Sequence, residues 1–292
     1  MSEFLLTVLL LGCALSPMAI GIFISMKVFN IPDITTDGSY TLGATVTAVL
    51  LSKYQVPISV IFCISILSGA IAGSITGFIH TRMKVNALLS GILVMTALYS
   101  INLMLLGRSN VPIIGHATVF DAIAFFDNES LNQLITLLGL LALLVILMFY
   151  VLRTDFGIAM RATGNNPFMT KALGINNNSM RIIGLALANA CTAWSGFLMT
   201  QYQEFADINM GIGIVITGLG SVLIADSLIQ RFKIRNLLIQ LLLVVGGCML
   251  FEGVLGLSLS LGADPMMLKL ITAVFVLMIV GIPGLLSKKL SD

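Results

Sequence analysis

The sequence predicts an all-α, polytopic membrane helix bundle of about eight to nine transmembrane segments, one of them short or broken near residues 30–52. Three observations carry that prediction. The 292 residues are 58% hydrophobic and only 10% charged, where a soluble globular chain carries about a quarter charged residues. The mean hydropathy is +1.06. Apolar runs follow one another with short polar connections that leave no room for a second soluble unit, so one transmembrane domain over 1–292 is expected, with a polar segment at 153–181.

The apolar runs lie at about 4–27, 39–52, 57–79, 85–106, 131–152, 181–203, 210–229, 236–258 and 266–283. The first follows Met1-Ser-Glu with neither a basic n-region nor a small-residue cleavage site, so it reads as a retained helix. Pro32 stops it, and Asp37-Gly38 turns the chain ahead of 39–52, which is short for a crossing of about 20 residues. Irregular backbone between membrane helices needs protein or a water-filled cavity around it, and transporters place gates at such breaks. Two readings stay open here: a gate containing Asp33, Asp37 and Gly38, or a solvated cytoplasmic loop.

Gly69, Gly73 and Gly77 recur at four-residue spacing in 57–79 and predict a close packing seam within the chain. The loop Gly107 to Ser130 holds Ile113-Ile114, Phe120 and Phe125-Phe126, which read either as an amphipathic element on the solute side or as an interfacial anchor. The run 181–203 follows the capping candidates Asn178-Ser179 and carries Gly184, Ala188, Ala190, Ala193 and Gly196, with Trp194 as a packing residue. Gly211, Gly218, Ser221 and Thr217 belong to a glycine-rich helix that approaches a neighbour or lines a path. Asp226 is expected to pair with Arg231. Glu252 lies well inside 236–258, where a carboxylate is costly, so it faces the bundle interior, a cavity or a vestibule unless the helix ends near Phe251.

The composition excludes several functions. A net charge of +2 and the lack of a basic stripe argue against nucleic acid. Two histidines, His80 and His116, exclude a multi-histidine metal site, and the four cysteines match neither a zinc pattern nor a disulfide scaffold, reading instead as small buried hydrophobes. No nucleophile elbow or phosphate-binding loop occurs, so no catalytic residue, cofactor or ATP hydrolysis is expected in this chain.

The polar segment Arg153 to Arg181 has helix grammar of its own. Asn166 can cap a helix that starts at Pro167 and closes at Gly174. Phe168 with Ala172, and Met169 with Leu173, share one side, while Lys171 points elsewhere. So short a helix is marginal in water and needs something to dock against, whether its own bundle, lipid or a partner.

Thr154-Asp-Phe-Gly157, Met160-Arg-Ala-Thr-Gly-Asn-Asn-Pro167 and Ala172-Leu-Gly-Ile-Asn176 resemble the cytoplasmic coupling segment of ABC importer permeases. The similarity is to the branched-chain amino acid and ribose type, especially a single-permease subgroup linked to aromatic amino acids or related small solutes. The resemblance implies that Gly157, Arg161, Gly164, Asn165, Asn166, Pro167, Phe168, Met169, Ala172, Leu173 and Gly174 couple the chain to a cytoplasmic ATP-binding cassette subunit, which holds ATP and Mg. It also implies a second permease copy, expected as a homodimer, an extracytoplasmic solute-binding protein, a setting in lipid, and alternating access in a bacterial cytoplasmic membrane. Asp33, Asp37, Gly38, Thr217 and Glu252 are the expected path or gate residues. An ion-gradient transporter, or an ABC importer for haem, a nucleoside or a sugar, are the alternatives.

With that segment inside, Lys27, Arg82, Lys84, Arg153, Arg161, Lys171, Arg181, Arg231, Lys233, Arg235, Lys288 and Lys289 are cytoplasmic, and Lys53, Arg108 and Lys269 lie outside. The C-terminus is then cytoplasmic. The N-terminus is outside if 39–52 crosses.

Overall fold

A computed structural model describes residues 2–121 and 129–289. The helices are α1 (Ser2–Phe23, continued by a π-helical turn Ile24–Val28), α2 (Thr35–Ser52), α3 (Ile58–Arg82), α4 (Ala87–Leu106), α5 (Glu129–Arg153), α6 (Asp155–Asn165), α7 (Pro167–Ala172), α8 (Asn177–Gln203), α9 (Ile214–Arg231), α10 (Leu237–Ser260) and α11 (Leu268–Lys289). Among the described residues, 7 helices are long and apolar enough to cross a membrane. To these α11 adds the apolar stretch Leu268–Ile279. Helix α2, with 18 residues, falls below that hydropathy yet lies inside the bundle.

Helix α8 is the centre, with α1, α2 and α3 against it. Small residues bring the backbones together. A Cβ added at Gly43 of α2 would sit 2.1 Å from the Ala193 carbonyl oxygen, and one at Gly196 of α8 would sit 2.0 Å from that of Tyr40. The predicted seam on α3 packs within the chain, Gly69 against Asn189, Gly73 against Leu185 and Gly77 against Ile182. Trp194 does pack, edge-on to Phe62 with ring centroids 4.8 Å apart. Helices α9 and α10 pair beside α1, and α11 packs on α9.

The expected break near 30–52 takes a different form. Asp37 and Gly38 are in the first turn of α2 rather than in a turn ahead of it, and the irregular stretch is Phe29–Ile34. An acidic residue suits a helix N-terminus, which explains why Asp37 starts the helix instead of interrupting it. Hydroxyls make this polar helix compatible with burial by bonding to its own carbonyls, as Thr41 Oγ1 does to Asp37 O at 3.0 Å and Thr47 Oγ1 to Gly43 O at 2.7 Å.

Other expectations shift as well. Helix α8 starts at Asn177 because Asn176 Oδ1 accepts from Ser179 N at 3.2 Å, which leaves Asn178 and Ser179 inside its first turn. Gly211 precedes α9 rather than belonging to it. Within the long loop, the short strand β1 (Asn110–Pro112) pairs antiparallel with β2 (Phe205–Asp207), which follows α8, with Val111 opposite Ala206, while Ile113 and Phe120 are buried and Ile114 is exposed. Phe125 and Phe126 lie outside the described residues. Cys13, Cys191 and Cys248 are buried, but Cys63 is exposed. Asp226 does not pair with Arg231, five positions away and on a different side of α9; Lys27 Nζ at the end of α1 donates to Asp226 Oδ2 at 2.5 Å, and Gln230 adds a bond at 2.7 Å.

Candidate functional site

The polar segment builds two helices at the end of the bundle where α5 finishes. Thr154 Oγ1 accepts from Gly157 N at 3.3 Å and starts α6. Asn166 Oδ1 accepts from Met169 N at 3.1 Å, Pro167 takes the first helical position, and α7 ends with Leu173 as its cap and Gly174 left-handed at φ 81. The turn is locked from below: Thr170 Oγ1 donates to Asn177 Oδ1 at 2.8 Å, and Asn177 Nδ2 donates to Pro167 O at 2.6 Å.

Thr170, not an apolar side chain, is the residue α7 buries. Phe168, Met169 and Leu173 are 87%, 61% and 67% exposed, so α7 does not lie with its apolar side on its own bundle. A groove lined by Phe168, Lys171, Asn178 and Arg181 runs beside it. Pro167 and Gly174 line the same groove, and Ala172 is exposed, whereas the candidates on α6 meet the bundle. Gly164 of α6 meets the end of α1, where a Cβ would sit 1.8 Å from the Val28 carbonyl oxygen. Arg161 and Asn165 line a cavity with Lys27, Asp226 and Gln240. Gly157 is closed in by the Leu152 backbone.

That contact leads to the Phe29–Ile34 stretch. Asn30 is left-handed at φ 56, and Ile31 N donates to Ser25 O at 2.9 Å. The Phe29 ring fills the space over Gly184 of α8. Asp33 is 4% exposed and therefore not a solvated loop residue. Its Oδ1 accepts from Thr35 N at 2.9 Å and its Oδ2 from Asn189 Nδ2 at 2.7 Å, while Ser39 Oγ donates to Asn189 Oδ1 at 2.6 Å. Asn189 thus ties the stretch to α8. Sequence reasoning missed it, although an asparagine amid glycines and alanines halfway along an apolar run is a signal of a buried polar bond.

Asp37 is 7% exposed, which also removes the solvated reading. Its two carboxylate oxygens accept from Gly213 N at 3.0 Å and Val215 N at 2.8 Å, joining α2 to the start of α9. Gly38 accommodates Leu98 of α4, and its carbonyl accepts from Asn102 Nδ2 at 3.3 Å. A cavity of about 280 Å³ opens between α2, α4 and the turn before α9, lined by Asp37, Gly38, Met95, Tyr99, Asn102 and Ile212. Asn102 was also not foreseen.

The remaining path candidates stand apart from these. Thr217 is half-buried, and its carbonyl accepts from Ser221 Oγ at 2.8 Å. Helix α10 runs past Glu252 to Ser260, so the carboxylate does not reach water through an early helix end; it is 9% exposed, one turn from Cys248. The five path candidates therefore do not form one cluster. Among the described residues no group of three metal-ligating side chains occurs.

A family model described as the permease component of branched-chain amino acid transport systems matches residues 4–282. The chain is 36% identical over 273 residues to the tyrosine transport system permease protein of Clostridioides difficile, covering 94% of this chain and 89% of that one. It is 29% identical to the nucleoside ABC transporter permease protein of Lactococcus lactis, over 59% of each chain. To the ribose import permease protein of Haemophilus influenzae it is 21% identical, over 70% of this chain and 62% of that one. No solved structure gives a significant match.

Proposed function

Because the chain belongs to the family of permease components of branched-chain amino acid transport systems, we propose that it is the membrane-spanning subunit of an ATP-driven importer for an amino acid with an apolar or aromatic side chain. As a member of that family with several membrane-spanning helices, it is a protein of the cell membrane. In this reading separate cytoplasmic cassette subunits hold ATP and Mg, a second copy of the chain completes the path, and an extracytoplasmic protein delivers the solute. The basic residues gathered around α6 and α7 support a cytoplasmic position for that end and for the C-terminus of a bacterial protein.

The observation that carries the reading is α7. A six-residue helix held rigidly at both ends, with Phe168, Met169 and Leu173 exposed, offers an apolar knob for a partner's groove. Movement of that knob has a direct route inward. Helix α7 continues α6, Gly164 of α6 bears on Val28, and the stretch that follows holds Asp33 against Asn189. Binding of ATP to the partner shifts the bundle between inward- and outward-open forms only as far as the partner favours one position of this unit over the other.

A sugar or nucleoside cargo is the second reading, favoured by the relatives that carry those names. The test is mild-detergent extraction from the native membrane with mass spectrometry of bound subunits, followed by ATP-dependent uptake of labelled tyrosine, leucine and ribose. A co-purifying ATP-binding subunit and amino acid uptake are expected. A chain that emerges folded, alone and active without ATP would overturn the reading.

A further inference from the structure

Where α6 meets the bundle, a cavity of about 220 Å³ is lined by two cations, Lys27 and Arg161, and one anion, Asp226. Lys27 at the end of α1 pairs with Asp226 of α9, which also accepts from Gln230. Arg161 of α6 forms neither an ion pair nor a hydrogen bond among the described residues. Its Nε is enclosed by protein, but its two terminal nitrogens are not, so they stay open to an acceptor. The cavity therefore carries one uncompensated positive charge. Asn165, exposed one turn further along α6, adds an amide donor, and Lys27 Nζ has three hydrogens, of which Asp226 takes one. Phe23, Ile229 and Leu237 supply apolar wall. Helices α1, α9 and α10 all end or begin here, which puts the cavity at a membrane boundary. The turn between α9 and α10 borders it with Arg231, Lys233 and Arg235 around Phe232, which is 67% exposed. Cations flanking an exposed aromatic ring suit a segment that lies on anionic lipid.

We propose that this cavity binds the phosphate of an anionic phospholipid headgroup, with the Arg161 terminal nitrogens, the Asn165 amide and Lys27 on its oxygens and the acyl chains outside in the bilayer. Planar guanidinium donors suit phosphate oxygens. Asp226 does not cancel the attraction, because Lys27 and Gln230 already occupy it and Arg161 is left as the attracting charge. The volume is below that of cavities that enclose a whole drug-sized ligand, so it admits a headgroup and not an entire lipid. The cavity is built by α6 and the bundle, whereas the exposed apolar side chains belong to α7, so a headgroup can enter from the membrane while a partner sits on α7. A phosphate held there would join α6 to the ends of α1 and α9. The inference goes beyond the importer reading and does not depend on it.

Native mass spectrometry of the full chain released from mild detergent tests it, with phosphatidylglycerol, phosphatidylcholine and inorganic phosphate as probes. The chain should retain one phosphatidylglycerol in preference to phosphatidylcholine. Arg161→Gln should weaken that retention about tenfold or more, the effect of losing one charge-assisted contact. Arg161→Lys, which keeps the charge but not the planar fork, should fall between the two. If Arg161→Gln fails to fold, Asn165→Asp takes its place, since the position is exposed and a carboxylate there should repel the headgroup. The turn between α3 and α4 supplies the control: Arg82 and Lys84 flank the exposed Met83 at the same end of the bundle, without Arg161 beside them. Neutralising both, Arg82→Gln with Lys84→Gln, should leave the retained lipid in place. Equal retention of the two lipids, or undiminished phosphatidylglycerol in both Arg161→Gln and Asn165→Asp, would overturn the site. A loss in the control as large as in Arg161→Gln would also overturn it, by showing only general attraction to a basic surface. Thermal stabilisation by inorganic phosphate alone, abolished by Arg161→Gln, would give the cavity to free phosphate and overturn the lipid. Displacement of the lipid whenever an ATP-binding subunit binds would give the cavity to that subunit, with the same result. These readouts use neither ATP nor transport, so their failure leaves the importer reading standing.

Discussion

Replacing Phe168 by alanine separates docking from folding, because the side chain is 87% exposed and contributes almost nothing to the bundle by burial. A surface substitution of this kind changes stability by less than about 0.5 kcal/mol. If a partner's groove covers the ring, the complex loses roughly 1.5–3 kcal/mol of apolar burial, which weakens binding by about 10- to 100-fold. Leu173, 67% exposed at the other end of α7, should behave alike, and the double variant should weaken binding further. The assay is retention of the ATP-binding subunit through purification, with uptake at matched expression and a melting curve in detergent. Reduced retention and uptake with an unchanged melting temperature are expected. Wild-type retention and uptake in the double variant would refute the coupling role of α7.

The interior makes its own predictions. Asp37→Ala strips two part-buried backbone N–H groups of their acceptor and should lower stability by about 1–3 kcal/mol, with Asp37→Asn intermediate, read from thermal unfolding. Asn189→Leu leaves Asp33 Oδ2 without its side-chain donor and should cost about 3 kcal/mol, while the Asn189→Leu/Asp33→Ala pair costs less than the sum of its parts; strict additivity would mean the two do not interact. Gly43→Ala forces α2 off the Ala193 carbonyl, 2.1 Å from the new Cβ, and should cost about 1–3 kcal/mol; an unchanged melting temperature would show that the seam yields freely. Glu252→Gln replaces a buried charge by an amide that is cheaper to bury, so stability should hold or rise while uptake falls. Uptake equal to wild type at every pH would assign Glu252 no part in the path.

Locally encoded features were legible without coordinates. Asn166, Pro167 and Gly174 mark the ends of α7 because capping depends on the residue's own side chain and backbone freedom. The spacing of Gly69, Gly73 and Gly77 marks a seam because a helix repeats its face every few residues. The fate of Asp33 and Asp37 was not legible in the same way. Apart from Thr35 N beside Asp33, their donors, Asn189, Gly213 and Val215, lie more than 150 positions away in sequence, and no local rule tells a solvated carboxylate from one that receives such bonds.

By itself, then, the sequence determined that this is a membrane bundle with a short, capped helix in a polar segment, since hydropathy, helix periodicity and capping act over a few residues. Tertiary structure alone decided which way that helix turns its apolar side and that α2, too polar by composition to count as a span, is enclosed by α3, α4 and α8. It also decided that Asn102 is buried in α4, with its Nδ2 on the Gly38 carbonyl and its oxygen unpaired. Burial and hydrogen-bond partnership are properties of pairs of distant residues, and they come into being only when the helices meet.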